Sequence, residues 1–141
     1  GGRTVTALKL DVLEDSRLPN RGPGCGPMGS FALAEVTLEL LPDGQEGSLL
    51  IPLSQVWASA CAKGMPLRNV IDGDSETAWG FGEQPGGSRA AVFLLQEPLG
   101  SKGKATLTLT LQHGGASGAA LGKFRISVAG ARSAANTEDI R

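Results

Sequence analysis

Along most of this chain apolar and polar residues alternate with a period of two, the pattern of strands that have one wet face. Between about Val5 and Leu13, Thr6, Leu8, Leu10 and Val12 contrast with Lys9 and Asp11. From Phe31 to Leu41, Ala32, Ala34, Val36, Leu38 and Leu40 fall on one side and Glu35, Thr37 and Glu39 on the other, before Pro42-Asp43-Gly44 turns the chain. Ser48 to Leu53 reads as a short strand broken by Pro52, which suits a sheet edge. Ser54 to Gly64 is mixed, with room for a helical turn. Ala90 to Leu95 is a compact apolar run, expected as a strand buried on both faces. Lys104 to Leu111 sets Ala105, Leu107, Leu109 and Leu111 against Thr106, Thr108 and Thr110, and β-branched threonines suit the wet face of a pleat. Leu121 to Ala129 closes the series, with Phe124, Ile126 and Val128 inward and Arg125 and Ser127 outward.

Six or seven short strands separated by glycine and proline predict an all-β chain, an antiparallel β-sandwich with jelly-roll order as the expected arrangement. The 21 Gly and 8 Pro among 141 residues leave little room for long helices and exclude a helical bundle. The length suits one domain, with residues 1–130 as the module and 131–141, where the pattern is lost, as a tail or linker. Leu18 to Ser30, holding Pro19, Gly22, Pro23, Gly24, Gly26, Pro27 and Gly29, is a loop long enough to be functional or pinned.

Charge narrows the partners. Lys plus Arg number 13 against 14 Asp plus Glu, a net charge of −1, and no basic cluster of five occurs. Nucleic acid and anionic membrane both demand a concentrated positive face, so neither is expected. No apolar run approaches the roughly 20 residues of a membrane span, so this segment is not expected to insert.

Catalytic chemistry has little to stand on. The single histidine, His113, precedes Gly114-Gly115 at a strand end and reads as structural or surface rather than as a general base. No nucleophile elbow, zinc-protease helix or phosphate loop is present, so the chain reads as non-catalytic. Cys25 and Cys61 are far apart, with no Cys-x-x-Cys pairing, which excludes a zinc site and covalent haem attachment in this segment. A disulfide joining them would pin the Gly/Pro loop and contribute about 3 to 4 kcal/mol by chain entropy. The alternative is two buried thiols.

The most specific stretch is Asn69-Val70-Ile71-Asp72-Gly73-Asp74-Ser75-Glu76-Thr77-Ala78-Trp79. Asp72, Asp74 and the Thr77 hydroxyl can converge on a tight glycine turn, and such hard oxygens are what calcium selects. The competing reading is an Asx-type surface turn with Trp79 in the core beneath it. The spacing is not that of an EF-hand.

Asp72-Gly73-Asp74 followed by Thr77 and Trp79 resembles the signature of discoidin-like domains, galactose-binding-domain-like β-sandwiches that include many carbohydrate-binding modules. The resemblance extends to modules of planctomycetal multidomain proteins that carry c-type cytochrome segments. It runs through Gly22-Pro23-Gly24, Phe31-Ala32-Leu33-Ala34-Glu35-Val36, Ser54-Gln55, Ile71 to Trp79, Ala91-Val92-Phe93 and Leu121-Gly122-Lys123-Phe124-Arg125, about residues 20 to 129 in one order. Cys25 and Ser30 depart from the family pattern in the first loop. The resemblance implies a structural calcium at the Asp72 turn, its shell completed by Glu35, and a ligand site in the loops at one end. It further implies a secreted or periplasmic module that binds a polysaccharide or other glycan and is joined to flanking domains of a larger protein.

Sugar sites pair an aromatic face with planar polar groups. With no Tyr, Trp 2 and Phe 4, platforms are few. Phe31, Phe93 and Phe124 are expected in the core and Trp79 beneath the turn. Trp57 and Phe81, in irregular segments, are the expected exposed aromatics, with Arg89 and His113 as polar partners and Arg68 as a further loop cation. The shortage of aromatics motivates a second reading, a structural or protein-binding module that keeps the sandwich without the sugar site.

Overall fold

The computed structural model describes residues 3–59, 61, 64–81, 88–100, 105–114 and 120–132. The described residues form strands β1 (Arg3–Val12), β2 (Phe31–Pro42), β3 (Leu49–Ile51), β4 (Leu53–Ala58), β5 (Trp79–Phe81), β6 (Arg89–Gly100), β7 (Ala105–His113) and β8 (Phe124–Arg132), with short 3-10 turns between some of them. One antiparallel sheet has the order β4-β6-β1-β8. In the other, β2 takes β3 and β5 along one edge and β7 along the other. The expected all-β sandwich is therefore present. The strand β8 runs to Arg132, past the module boundary expected at 130, and residues 133–141 lie outside the described residues.

Side chains directly opposite across an antiparallel pair share a face. Leu8, Leu10 and Val12 of β1 are buried with Phe93 and Ala91 of β6. They meet Phe31, Leu33, Val36, Leu38 and Trp79 of the other sheet in one core, where apolar burial supplies the main drive to fold. Phe31 and Trp79 pack edge to face at 5.1 Å between ring centroids.

In β2 the sequence pattern misplaces the inward face over part of the strand. Leu33 pairs with His113 and Glu35 with Gln112, so Ala34 is an extra residue, a β-bulge. Before the bulge Phe31 and Leu33 point inward; after it Val36, Leu38 and Leu40 do. A strict alternation would have put Ala32 there instead of Leu33, whereas Ala34, at the bulge itself, is fully buried as the pattern expects.

Three further expectations change. Ser54 to Gly64 holds no described helical turn, because Leu53–Ala58 pairs with β6 as an edge strand. Pro52 alone separates β3 from β4, which belong to different sheets. Ala90 to Leu95 is buried on one face only, with Leu94 40% exposed, because nothing described covers the outer side of that sheet. Phe124, Ile126 and Val128 lie opposite Val12, Leu10 and Leu8 and so face inward as expected. They remain 45%, 39% and 49% exposed, because β8 is the last strand of its sheet.

The Leu18 to Ser30 loop is pinned, though not by sulfur. Cys25 and Cys61 are free, exposed thiols, which corrects both the expected bridge and its buried-thiol alternative. Backbone pairing fastens the loop instead: Gly24 bridges to Leu121, the Cys25 N–H donates to Ala120 O at 2.7 Å, and the Gly122 N–H donates to Pro23 O at 2.8 Å. A Cβ on Gly24 would meet Ser30 O at 1.9 Å, so only glycine fits this crossing. Both thiols are expected to react with an alkylating reagent in the native protein, each adding one adduct by mass spectrometry. An unmodified pair under non-reducing conditions would mean that they are joined.

Candidate functional site

The Asp72 turn is built locally. A 3-10 turn at Leu67–Ile71 buries Leu67 and Val70 and delivers Asp72 to its end. Gly73 adopts φ of 77°, a left-handed conformation that glycine takes without strain. The Asp74 N–H donates to Asp72 Oδ1 at 2.9 Å, closing an Asx turn, and the Glu76 N–H donates to Asp74 Oδ1 at 2.9 Å. Trp79, fully buried, anchors the exit as expected.

At the centre is the Thr77 hydroxyl. It lies 2.6 Å from Asp72 Oδ2, 3.1 Å from Asp74 O and 3.5 Å from Asn69 O. A hydroxyl carries one proton, so it can donate to only one of these three oxygens at a time. The shortest contact, to Asp72, takes it. Asn69 is itself held by its Nδ2, which donates to Ala78 O at 2.9 Å. The hydroxyl and N–H contacts on Asp72 hold its carboxyl below the ordinary carboxylate range.

Glu35 reaches this turn from β2, just past the bulge. Its pKa is raised, first by burial and then by the neighbouring Asp72 carboxylate, with the Gly73 and Asp74 N–H groups acting in the opposite direction. Its Oε1 is nonetheless buried with no hydrogen-bond partner among the described residues. A buried carboxylate oxygen left unmatched beside a second carboxylate is the environment a cation relieves. The donor set therefore fits a hard divalent ion: Glu35, Asp72, the Thr77 hydroxyl and the carbonyls of Asn69 and Asp74. At Asp74, carboxylate Oδ1 accepts the Glu76 N–H and the carbonyl faces Thr77, so the carbonyl joins the expected donors. No group of three or more His, Cys, Asp or Glu side chains placed to hold a metal occurs among the described residues, so any ion here depends on carbonyl and hydroxyl oxygens.

No family model, curated protein or solved structure matches the chain. Its chemistry rests on its own geometry.

The four expected sugar contacts, Trp57, Phe81, Arg89 and His113, lie on four different strands, β4, β5, β6 and β7. Trp57 lies in β4 rather than an irregular segment, and is 60% exposed on the outer face of its sheet. Phe81 ends β5 with its backbone opposite Phe31, and its side chain is outside the described residues. Arg89 begins β6 opposite Val12, with Nη1 donating to Ser88 O at 3.0 Å. Arg68 sits exposed in the 3-10 turn. A cleft of about 410 Å³ between Asp15, Arg17, Leu18, Gly122 and Lys123 contains none of these candidates.

His113 ends β7 opposite Leu33, and its Nε2 accepts a hydrogen bond from the Leu121 N–H at 3.1 Å. Only the neutral ring can accept there. Partial burial also disfavours the charged form, so the pKa lies below the ordinary 6.5. The neighbours therefore assign His113 a structural task, fastening the approach to β8. A depressed folded pKa gives stability that is present above the unfolded value of about 6.5 and is lost as pH falls through the folded one. The melting temperature of the protein is expected to drop more between pH 7.5 and 5 than that of His113→Gln; equal slopes would remove the role.

Proposed function

We propose that the chain is a non-catalytic, carbohydrate-binding β-sandwich module of the discoidin-like, jelly-roll kind, with calcium as a structural ion. The observation that carries the sugar-binding reading is the contrast between the two tryptophans. Trp79 is fully buried, whereas Trp57 presents its ring to solvent from a regular strand. An exposed indole on a rigid sheet offers an apolar face to the C–H side of a sugar ring without a loop having to order first. On this reading the module belongs to a larger secreted or periplasmic protein, whose flanking domains it holds near a glycan. Gel retardation by at least one polysaccharide is expected and is lost in Trp57→Ala. Retention by none across plant, algal and host polysaccharides would remove the reading.

Calcium would be held by Glu35, Asp72 and Thr77 with the carbonyls of Asn69 and Asp74. It would supply positive charge between the two carboxylates and so tie β2 to the 72–77 turn. Binding only to the folded state adds about 2.7 kcal/mol at 100 times the dissociation constant. A rise of several degrees in melting temperature on adding calcium is therefore expected, reversed by a chelator. Glu35→Gln removes one of the two facing charges, so it should leave the metal-free protein as stable or more stable while abolishing the calcium shift. An unchanged melting temperature with and without chelator would remove the metal and leave the fold.

The second reading, a structural or protein-binding module without a sugar site, is favoured by the half-exposed stripe Phe124, Ile126 and Val128 on β8. Pull-down of a protein partner together with failure of every polysaccharide would favour it.

A further inference from the structure

The outer face of the β4-β6-β1-β8 sheet carries an ordered array that the local motifs do not reveal. Trp57 lies opposite Val92, Val92 opposite Lys9, and Lys9 opposite Ser127, so the four form one row across the sheet. Two residues along β1, Asp11 lies opposite Ala90 on one side and Arg125 on the other. Gln55 and Leu94 form the neighbouring row beyond Trp57. Successive strands are about 4.8 Å apart, so the array from the indole to Arg125 spans about 14 Å across the sheet, more than one sugar ring.

The charges on this face are unequal. Lys9 Nζ lies 3.5 Å from Asp11 Oδ1, and Arg125 Nη2 lies 3.4 Å from Asp11 Oδ2. Two cations thus share one carboxylate, and their side chains stay 49% and 65% exposed while that of Asp11 is 12% exposed. Among the described residues in register on this face Asp11 is the only acidic one. One positive charge is left over, on a chain whose net charge is −1. Guanidinium presents a planar fork that matches a carboxylate.

We infer that this sheet face is the carbohydrate platform and that its ligand is a polyuronate, with Trp57 stacking on one sugar while Lys9 and Arg125 engage the carboxylate of another. The inference rests on the reading of the chain as a glycan-binding module and names its substrate class. Asp11 is a positioning residue, orienting both cations while holding them back.

Affinity electrophoresis in polygalacturonate, in a neutral β-glucan and in dextran sulfate tests it, with thermal melting confirming that each variant folds. Retention is expected in polygalacturonate above the neutral glucan, falling with added salt. Lys9→Gln and Arg125→Gln each should weaken it by about three- to tenfold, and Trp57→Ala should abolish it. Asp11→Asn should tighten it by about two- to fivefold by releasing the cations, a gain that a merely structural aspartate would not give. Retention in the neutral glucan that Trp57→Ala abolishes and the cation variants leave unchanged would overturn the polyuronate while keeping the glycan-binding module. Stronger retention in dextran sulfate than in polygalacturonate would show recognition of charge density and overturn it equally. Retention by none of the three would overturn the polyuronate, and only failure across the wider polysaccharide panel would take the module reading with it.

Discussion

The arrangement depends on the pairing register of β2. This strand is bonded to β3, β5 and β7, so every other member of its sheet takes its position from it. A one-residue slip in a strand exchanges its faces, and the extra residue at Ala34 makes that slip once, in mid-strand. Leu33 and Val36, three apart, can then both enter the core, and Glu35 between them is directed at the Asp72 turn. Without the bulge an inward Leu33 would oblige Glu35 inward as well, a carboxylate in an apolar core. Packing and site geometry are thus set by the same local irregularity.

The turn that receives Glu35 is held by an imbalance of hydrogen-bonding groups. One hydroxyl proton faces three oxygens, and a buried carboxylate oxygen lacks a partner among the described residues, while the surrounding backbone is fixed by Asx geometry, a left-handed glycine and a buried tryptophan. Rigid scaffolding beside one buried carboxylate oxygen, Glu35 Oε1, that no described group satisfies separates this turn from an ordinary surface turn. The rigidity is inexpensive to encode, since Asn69 through Trp79 are contiguous and act largely on one another.

That contiguity explains what was legible in the sequence. Strands, sandwich class, the core place of Trp79 and the oxygen-rich turn follow from periods and spacings within about ten residues. The bulge was hidden because Ala32 and Ala34 are small enough to read as inward in either phase. Strand β4 was hidden because Ser54 and Gln55 give a wet edge strand little alternation, leaving Trp57 in an apparent loop. Exposure of Phe124 depends on β8 being outermost, which is a matter of strand order and not of local pattern. The row from Trp57 to Ser127 joins residues 70 positions apart, so no motif could announce it. The cysteines misled because a long Gly/Pro loop invites a staple, whereas backbone bonds to Ala120 and Leu121 already supply one.

The single residue between β3 and β4 has a mechanical side. The chain leaves one layer and enters the other across Pro52, whose ring fixes φ near −65° and whose carbonyl accepts the Gln96 N–H at 3.0 Å. A crossing so short and so stiff has no slack to lend. Shear of one layer over the other would have to break ladder bonds on both sides of the proline at once, so the sandwich should yield to force as a unit instead of sliding open leaf by leaf.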